Sequence, residues 1–206
     1  MFARSTEVLA RPESVDAGIR NIRDDVLPML KGMDGCIGLS MLVDRSSGRC
    51  ITTSAWHTME AMRASEMAVR PYREHISDVL GNRAQVDEWE IAVLHRDHRS
   101  RPGAYVRTSW VRMASDQAEG VADVFRSTLL PVIEEFDGFC SASLMIDRES
   151  GYAVSSVTLD SREAMERSRE QSGALRQVGA MEAGVEIVEA REFELALAHL
   201  RVPELA

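Results

Sequence analysis

The chain is poor in aromatic residues, at 5 %, and has only three cysteines in 206 residues. No apolar run approaches the roughly 18–20 residues that cross a bilayer. No short apolar stretch behind a basic flank marks a secretory leader. A cytoplasmic protein is the expectation. Cys36, Cys50 and Cys140 lack the paired spacing of zinc ligands and lie in apolar, strand-like runs, where a thiol behaves as a small hydrophobe. There is no glycine-rich phosphate loop, no HExxH or CxxC metal pattern, and no GxSxG nucleophile elbow. These absences remove the usual signatures of nucleotide, zinc and hydrolase chemistry. Basic residues are too dispersed to follow a phosphate backbone, so neither nucleic acid nor a membrane is an expected partner.

What is present fits a globular chain, with 45 % hydrophobic and 28 % charged residues. The net charge of −9 is unevenly shared: residues 1–103 carry 14 Arg/Lys and 15 Asp/Glu (−1), residues 104–206 carry 10 and 18 (−8). The chain also repeats itself about 103 residues on. Leu27-Pro28 recurs as Leu130-Pro131 and Asp34-Gly35 as Asp137-Gly138. Asp44-Arg45-x-Ser47-Gly48 recurs as Asp147-Arg148-x-Ser150-Gly151, and Glu60-Ala61-Met62-x-x-Ser65 as Glu163-Ala164-Met165-x-x-Ser168. From Arg4 to Ser65 at this offset, 16 of 62 pairs are identical. After one inserted residue, Trp89-Glu90-Ile91-Ala92-Val93 faces Phe193-Glu194-Leu195-Ala196-Leu197. The period is too long for a solenoid. It indicates a duplicated domain, with copies at 1–98 and 104–206 joined by a short polar link ending in Pro102-Gly103.

Each copy predicts the order strand, helix, strand, strand, helix, strand. In the first, apolar residues Val15, Ile19, Ile22, Val26 and Leu30 recur every three or four positions over 14–32, an amphipathic helix. Its counterpart opens on Asp116-x-x-Glu119, which resembles a capping box. Strands over 36–44 and 139–147 read as apolar on both faces, so both faces are expected to be covered. Tight hairpins end in Gly48 and Gly151. Thr58 and Asp160 are expected to cap second helices over 59–80 and 161–178. Last strands follow over 87–95 and 185–199, the final one interrupted by a bulge or bend. The βαββαβ order is that of a ferredoxin-like unit, with both helices on one face of an antiparallel sheet. The fold class is therefore α+β: two ferredoxin-like βαββαβ units whose sheets pack face to face as an intrachain dimeric α/β barrel.

This order, with Trp56 closing the third strand just before Thr58-Met-Glu-Ala-Met, resembles the antibiotic biosynthesis monooxygenase family of dimeric α+β barrels. The resemblance implies either a cofactor-independent oxygenase acting on a small aromatic substrate, or a non-catalytic ligand-binding or scaffold protein on the same fold. It also admits haem, because one branch degrades it with an Asn on the first strand, a Trp on the second helix and an iron-ligating His ten residues later. His75 falls at that His position, but Ser65 stands at the Trp position and the first strand has no Asn. Haem degradation is not expected, and no cofactor is required.

The candidate site lies in the first copy. His75 is the candidate catalytic base or iron ligand, and Trp56, Met62, Tyr72 and Trp89 would wall a pocket for a small hydrophobic or aromatic molecule. For Trp56 and Trp89 the competing reading is core filling, and for His75 a structural place at the rim of the apolar stripe. The second copy holds Leu159, Leu175 and Val178 where the first holds Trp56, Tyr72 and His75, so one site is expected rather than two. His95 and His199 occupy equivalent places in both copies. The eleven methionines suit either an adaptable pocket or an irregular core. Association of the fused pair as a homodimer is left open.

Overall fold

A computed structural model describes residues 1–80 and 82–200. The first copy runs β1 (Phe2–Leu9), α1 (Val15–Asn21), α2 (Leu27–Lys31), β2 (Cys36–Asp44), β3 (Arg49–Trp56), α3 (Met59–Ala64), α4 (Glu66–Leu80) and β4 (Gln85–Arg96). The second runs β5 (Tyr105–Arg112), α5 (Ala118–Val124), α6 (Leu130–Ile133), β6 (Phe139–Asp147), β7 (Tyr152–Leu159), α7 (Arg162–Arg167), α8 (Arg169–Ala183) and β8 (Glu186–Leu200). All recorded strand pairs are antiparallel, and the eight strands close in the order β1-β3-β2-β8-β5-β7-β6-β4. The expected α+β barrel class is thus the observed one.

The chain forms two compact units. One contains Met1–Trp89 and the last strand from Glu194; the other contains Glu90–Phe193. The units are not identical with the sequence copies, because β2 of the first unit takes its neighbour from the end of β8 and β6 of the second takes its neighbour from the end of β4. The bulge expected in the last strand is present where pairing with β2 slips between Met41 and Leu42. β4 slips in the same way opposite β6, between Ile91 and Val93.

The helix expected over 14–32 is continuous but irregular. A π turn over Ile22–Val26 joins α1 to α2, and Leu27 N–H bonds the Ile22 carbonyl five residues back. Pro28 follows immediately. It has no N–H to offer the fourth carbonyl behind it and its ring would crowd that oxygen. Widening the turn just ahead of the proline relieves both problems. The second unit does the same with a π turn over Phe125–Leu129 ahead of Pro131.

Several local expectations are corrected. The second helix breaks at Ser65, and its counterpart at Ser168. Each hydroxyl bonds back to a helix carbonyl, Ser65 to Met62 O at 2.6 Å and Ser168 to Met165 O at 3.1 Å, a contact that competes with the regular ladder. Ser161, rather than Asp160, caps α7 by accepting the Ala164 N–H, as Thr58 does from Ala61. α8 runs on to Ala183 and stops at Gly184, which is left-handed at φ +66°. Gln117 rather than Asp116 serves the start of α5, its Oε1 accepting from Ala114 N. β2 is covered on both faces, Ile37 to Leu39 and Met41 to Val43 being buried in succession. β6 is not: Cys140, Ala142, Leu144 and Ile146 are buried while Ser141, Ser143 and Met145 are half-buried. Gly48 is required at the first hairpin, where φ is +77° and an added Cβ would fall 2.0 Å from the Ala10 carbonyl oxygen.

Candidate functional site

Both units place helices against one face of the sheet, and each leaves a cavity there. In the first unit a cavity of about 50 Å³ is lined on the sheet side by residues such as Arg4, Met41 and Thr52, and on the helix side by Val26, Tyr72 and Ile76. In the second, a cavity of about 80 Å³ has Arg107, Leu144 and Ser155 on the sheet side and Leu129, Leu175 and Gly179 on the helix side. These are corresponding positions 103 residues apart. A single water needs roughly 10–15 Å³ by this kind of measure, so each cavity has room for a small ligand fragment.

The sequence led to the expectation of one site in the first copy; cavities, however, are present in both units, and the second unit's is larger. Ile76, buried in the first unit, is replaced by Gly179, and Tyr72 by Leu175. Gly179 lies close under Leu129, whose δ-methyl carbons would be 2.8 Å from an added Cβ. Leu129 stands where the first unit has Val26, so its larger side chain takes up the room at Gly179 itself, and the cavity lies beside that contact.

Of the five residues singled out from sequence, Trp56, Met62 and Tyr72 share the first unit's apolar core, but the five do not line one cavity. Tyr72 lines the first cavity. Trp56 is 1 % exposed and Met62 fully buried, both within the first unit's apolar core. Trp89 is also buried. Each indole N–H is satisfied locally, Trp56 Nε1 donating to Ser54 Oγ at 3.0 Å and Trp89 Nε1 to Ser5 Oγ at 2.8 Å. Those are the arrangements of core tryptophans rather than of a ligand wall. His75 is exposed on α4 and lines neither cavity. His95 lies in the second unit, 3.0 Å from Glu134 Oε1 and stacked on Phe139.

What sequence reasoning missed is a buried arginine under each cavity. Arg107 is 5 % exposed and fully engaged. Its Nε and Nη2 donate to Glu192 Oε1 at 3.2 and 2.8 Å, Nη1 to Ser168 Oγ at 3.1 Å and Ser172 Oγ at 2.6 Å, and Nη2 also to Met165 O at 2.6 Å. Arg4 is its counterpart, 4 % exposed, donating to Ser65 Oγ at 3.2 Å and Glu88 Oε1 at 2.9 Å, with Glu66 Oε2 at 3.2 Å from Nη1. These bonds explain the helix breaks: a guanidinium reaching from the first strand of each copy needs acceptors, and the serine at the break supplies one. The signal was available, since Arg4/Arg107, Ser65/Ser168 and Glu88/Glu192 are identical between copies.

Electrostatics follow from these contacts. Burial pushes the Glu192 carboxyl up, but hydrogen bonds from Arg169 and Arg107 outweigh it and the net shift is downward from 4.5. The Arg73 hydrogen bond leads the downward shift of Glu66, and that from Arg148 the shift of Glu90. A carboxylate with a depressed folded value stabilises the fold fully above its unfolded value and loses that contribution as pH falls through the folded one. Stability should thus be flat above the ordinary value of 4.5 and drop progressively below it, with urea midpoints across pH 3–7 as the measurement. A midpoint independent of pH in the acid limb would contradict this. Burial also pushes the Cys50 thiol, at the first cavity, up to about 11, which keeps it from acting as a nucleophile near neutral pH. Among the described residues no three His, Cys, Asp or Glu side chains gather as metal ligands would, and no helix is long and apolar enough to cross a membrane.

Comparison with known proteins places the chain. It is 57 % identical to the uncharacterized protein Rv2557 of Mycobacterium tuberculosis H37Rv over 205 residues, covering 100 % of this chain and 92 % of the relative. It is 51 % identical to the uncharacterized protein Rv2558 of the same organism, covering 100 % and 87 %. The chain belongs to the Rv2557/Rv2558 family. No family model matches it. Among solved structures, a candidate monooxygenase from Fusobacterium nucleatum superposes with a TM-score of 0.73 at 8 % identity, covering 97 % of this chain and 94 % of that one. An anthrone oxidase-like protein gives 0.70 at 12 %, covering 100 % and 94 %. A ferredoxin-fold protein from Listeria monocytogenes, related to antibiotic biosynthesis monooxygenases, gives 0.53 at 7 %, covering 94 % of each. At these identities the likeness is one of fold. The family thus shares the fold of monooxygenase-like proteins.

Proposed function

We propose that this member of the Rv2557/Rv2558 family is a cytoplasmic protein, similar to the antibiotic biosynthesis monooxygenases, that binds a small aromatic or otherwise apolar molecule in its sheet–helix cavities. The observation that carries this reading is the composition of the two cavities. Their walls are mostly aliphatic and aromatic, with a few convergent polar groups from arginine, serine and threonine, the usual make-up of a small-ligand site.

A second reading, oxygenation of the bound molecule, is favoured by the fold shared with a candidate monooxygenase and an anthrone oxidase-like protein. In such a reaction a CH₂ group becomes C=O with one oxygen atom of O₂, and the second oxygen leaves as water with the two hydrogens. Among the described residues, neither cavity is lined by a histidine or a carboxylate. The protein would therefore act on a substrate acidic enough to ionise on its own, contributing orientation, water exclusion and a cationic surround for the anion. Oxygen uptake with anthrone, compared with a heat-denatured control, tests it: uptake at the background rate removes the oxygenase reading and leaves binding.

The residues present do not fit a haem. His75 is exposed and, among the described residues, lines neither sheet–helix cavity. Any Soret change on haemin titration should be the same in wild type and His75→Ala. His75→Ala should also leave stability within about 0.5 kcal/mol, the range for an exposed site. A Soret band lost in the variant would restore His75 as an iron ligand.

A further inference from the structure

The two cavities differ in how their arginines are paired as well as in size. In the first unit Arg73 on α4 donates to Glu66 Oε2 at 2.8 Å, so the guanidinium beside the cavity is neutralised. The second unit keeps the arginine, as Arg176, but replaces Glu66 with Arg169. Arg169 turns to Glu192 at 2.6 Å, the carboxylate that already serves Arg107. Arg176 is left half-buried at the cavity with no hydrogen bond or ion pair among the described residues. Arg4 and Arg73 in the first unit thus each have a carboxylate partner, whereas in the second Arg107 has Glu192 and Arg176 has none within ion-pair distance among the described residues.

A second difference lies one turn away. Val69 in the first unit is Ser172 in the second, and both line their cavities. Ser172 Oγ accepts from Arg107 at 2.6 Å, and its own proton meets no acceptor among the described residues. An accepted charged hydrogen bond polarises a hydroxyl and makes it a better donor. Arg176 and Ser172, four residues apart on α8, stand on one face of that helix.

We propose that the second unit's cavity is a site for a small carboxylate with an apolar body, the carboxylate resting on Arg176 and the Ser172 hydroxyl and the body lying in the apolar cavity that Leu129, Leu144 and Leu175 help to line. This rests on the reading that the cavities bind small apolar molecules, and specifies which cavity and which charge. A guanidinium presents paired donors that match a carboxylate. Burial and the nearby Arg107 charge push Arg176 below its ordinary value, with Glu192 acting the other way. An arginine remains protonated at neutral pH all the same, so the ligand supplies the missing counter-charge.

The probe pair is 2-naphthoate and its neutral analogue 2-naphthalenemethanol, titrated calorimetrically into the full chain at pH 7.5. Wild type should bind the carboxylate at least about tenfold more tightly than the alcohol, in the range expected for a charge-assisted hydrogen-bonded contact. Arg176→Met should lose about that tenfold for the carboxylate and leave the alcohol unchanged. Arg176→Gln gives the same readout if the methionine variant does not fold. In ¹⁵N-labelled protein the carboxylate should move the amides of Ser172, Arg176 and Ala180, not those of Val69, Arg73 and Ser77. Equal affinity for the two probes, an Arg176 variant with unchanged preference, or shifts confined to the first unit would overturn the anion site while leaving the cavity reading intact. Failure of both probes to bind would overturn both.

Discussion

Arg107→Met should lower unfolding stability by about 3 kcal/mol, near the lower end of what breaking a buried ion pair costs. The side chain is 5 % exposed and its five donor contacts reach Glu192, two serine hydroxyls and the Met165 carbonyl. Methionine supplies comparable apolar bulk but no donors. The effect stays near the lower end because Glu192 keeps Arg169 at 2.6 Å and Ser168 keeps its bond to Met165 O. The break between α7 and α8 loses the strand-borne group it is arranged around, so loosening should be concentrated there. Urea unfolding should show a lower midpoint with unchanged slope, and amide exchange of Ser168–Ser172 should quicken. A loss below about 1 kcal/mol, the size of one ordinary hydrogen bond, would mean that the arginine is incidental to the fold.

Trp56→Ala should cost about 3–5 kcal/mol, the range for deleting a large buried aromatic. Trp56 is 1 % exposed, closes β3 opposite Phe2 of β1 and Cys36 of β2, and lies in the same core as Met62. Its removal leaves a void in the core, and Ser54 Oγ loses the indole donor. Trp56→Phe should recover most of the loss, because volume matters more than the single N–H. Trp56 lies outside the lining of the first cavity, so ligand affinity should be unchanged in the phenylalanine variant once the protein is shown to be folded. A stable Trp56→Ala protein with abolished binding would reinstate Trp56 as a ligand wall.

Much of the architecture was legible because it depends on patterns of one residue type. Val15, Ile19, Ile22, Val26 and Leu30 mark a helix, and Gly48 and Gly151 mark hairpins that need positive φ. The repeat itself implied that whatever forms once forms twice. The site was less legible for two reasons. Aromatic and histidine residues drew attention as candidate chemistry, yet Trp56 and Trp89 satisfy their N–H groups on serines two residues away or on a neighbouring strand. Along the chain the second copy's losses, such as Tyr72 and His75, are also the conspicuous ones. What it had gained, Ser172 for Val69 and Gly179 for Ile76, bears directly on the cavity.

The sequence alone determined the element order, the hairpins and the duplication, because apolar period, turn chemistry and internal identity are local or self-referential. It also carried the identity of Arg4 with Arg107, though not its meaning. Tertiary structure decided which carboxylates and serines those arginines reach, where the long helices break to meet them, and that Arg73 finds Glu66 while Arg176 finds no such partner among the described residues. Ion pairing depends on which side chains from distant segments come within about 4 Å in a shielded place. A single charge change at one helical position, Glu66 to Arg169, is a surface substitution when read along the chain. In space it leaves Arg73 with a carboxylate partner and Arg176 with none among the described residues.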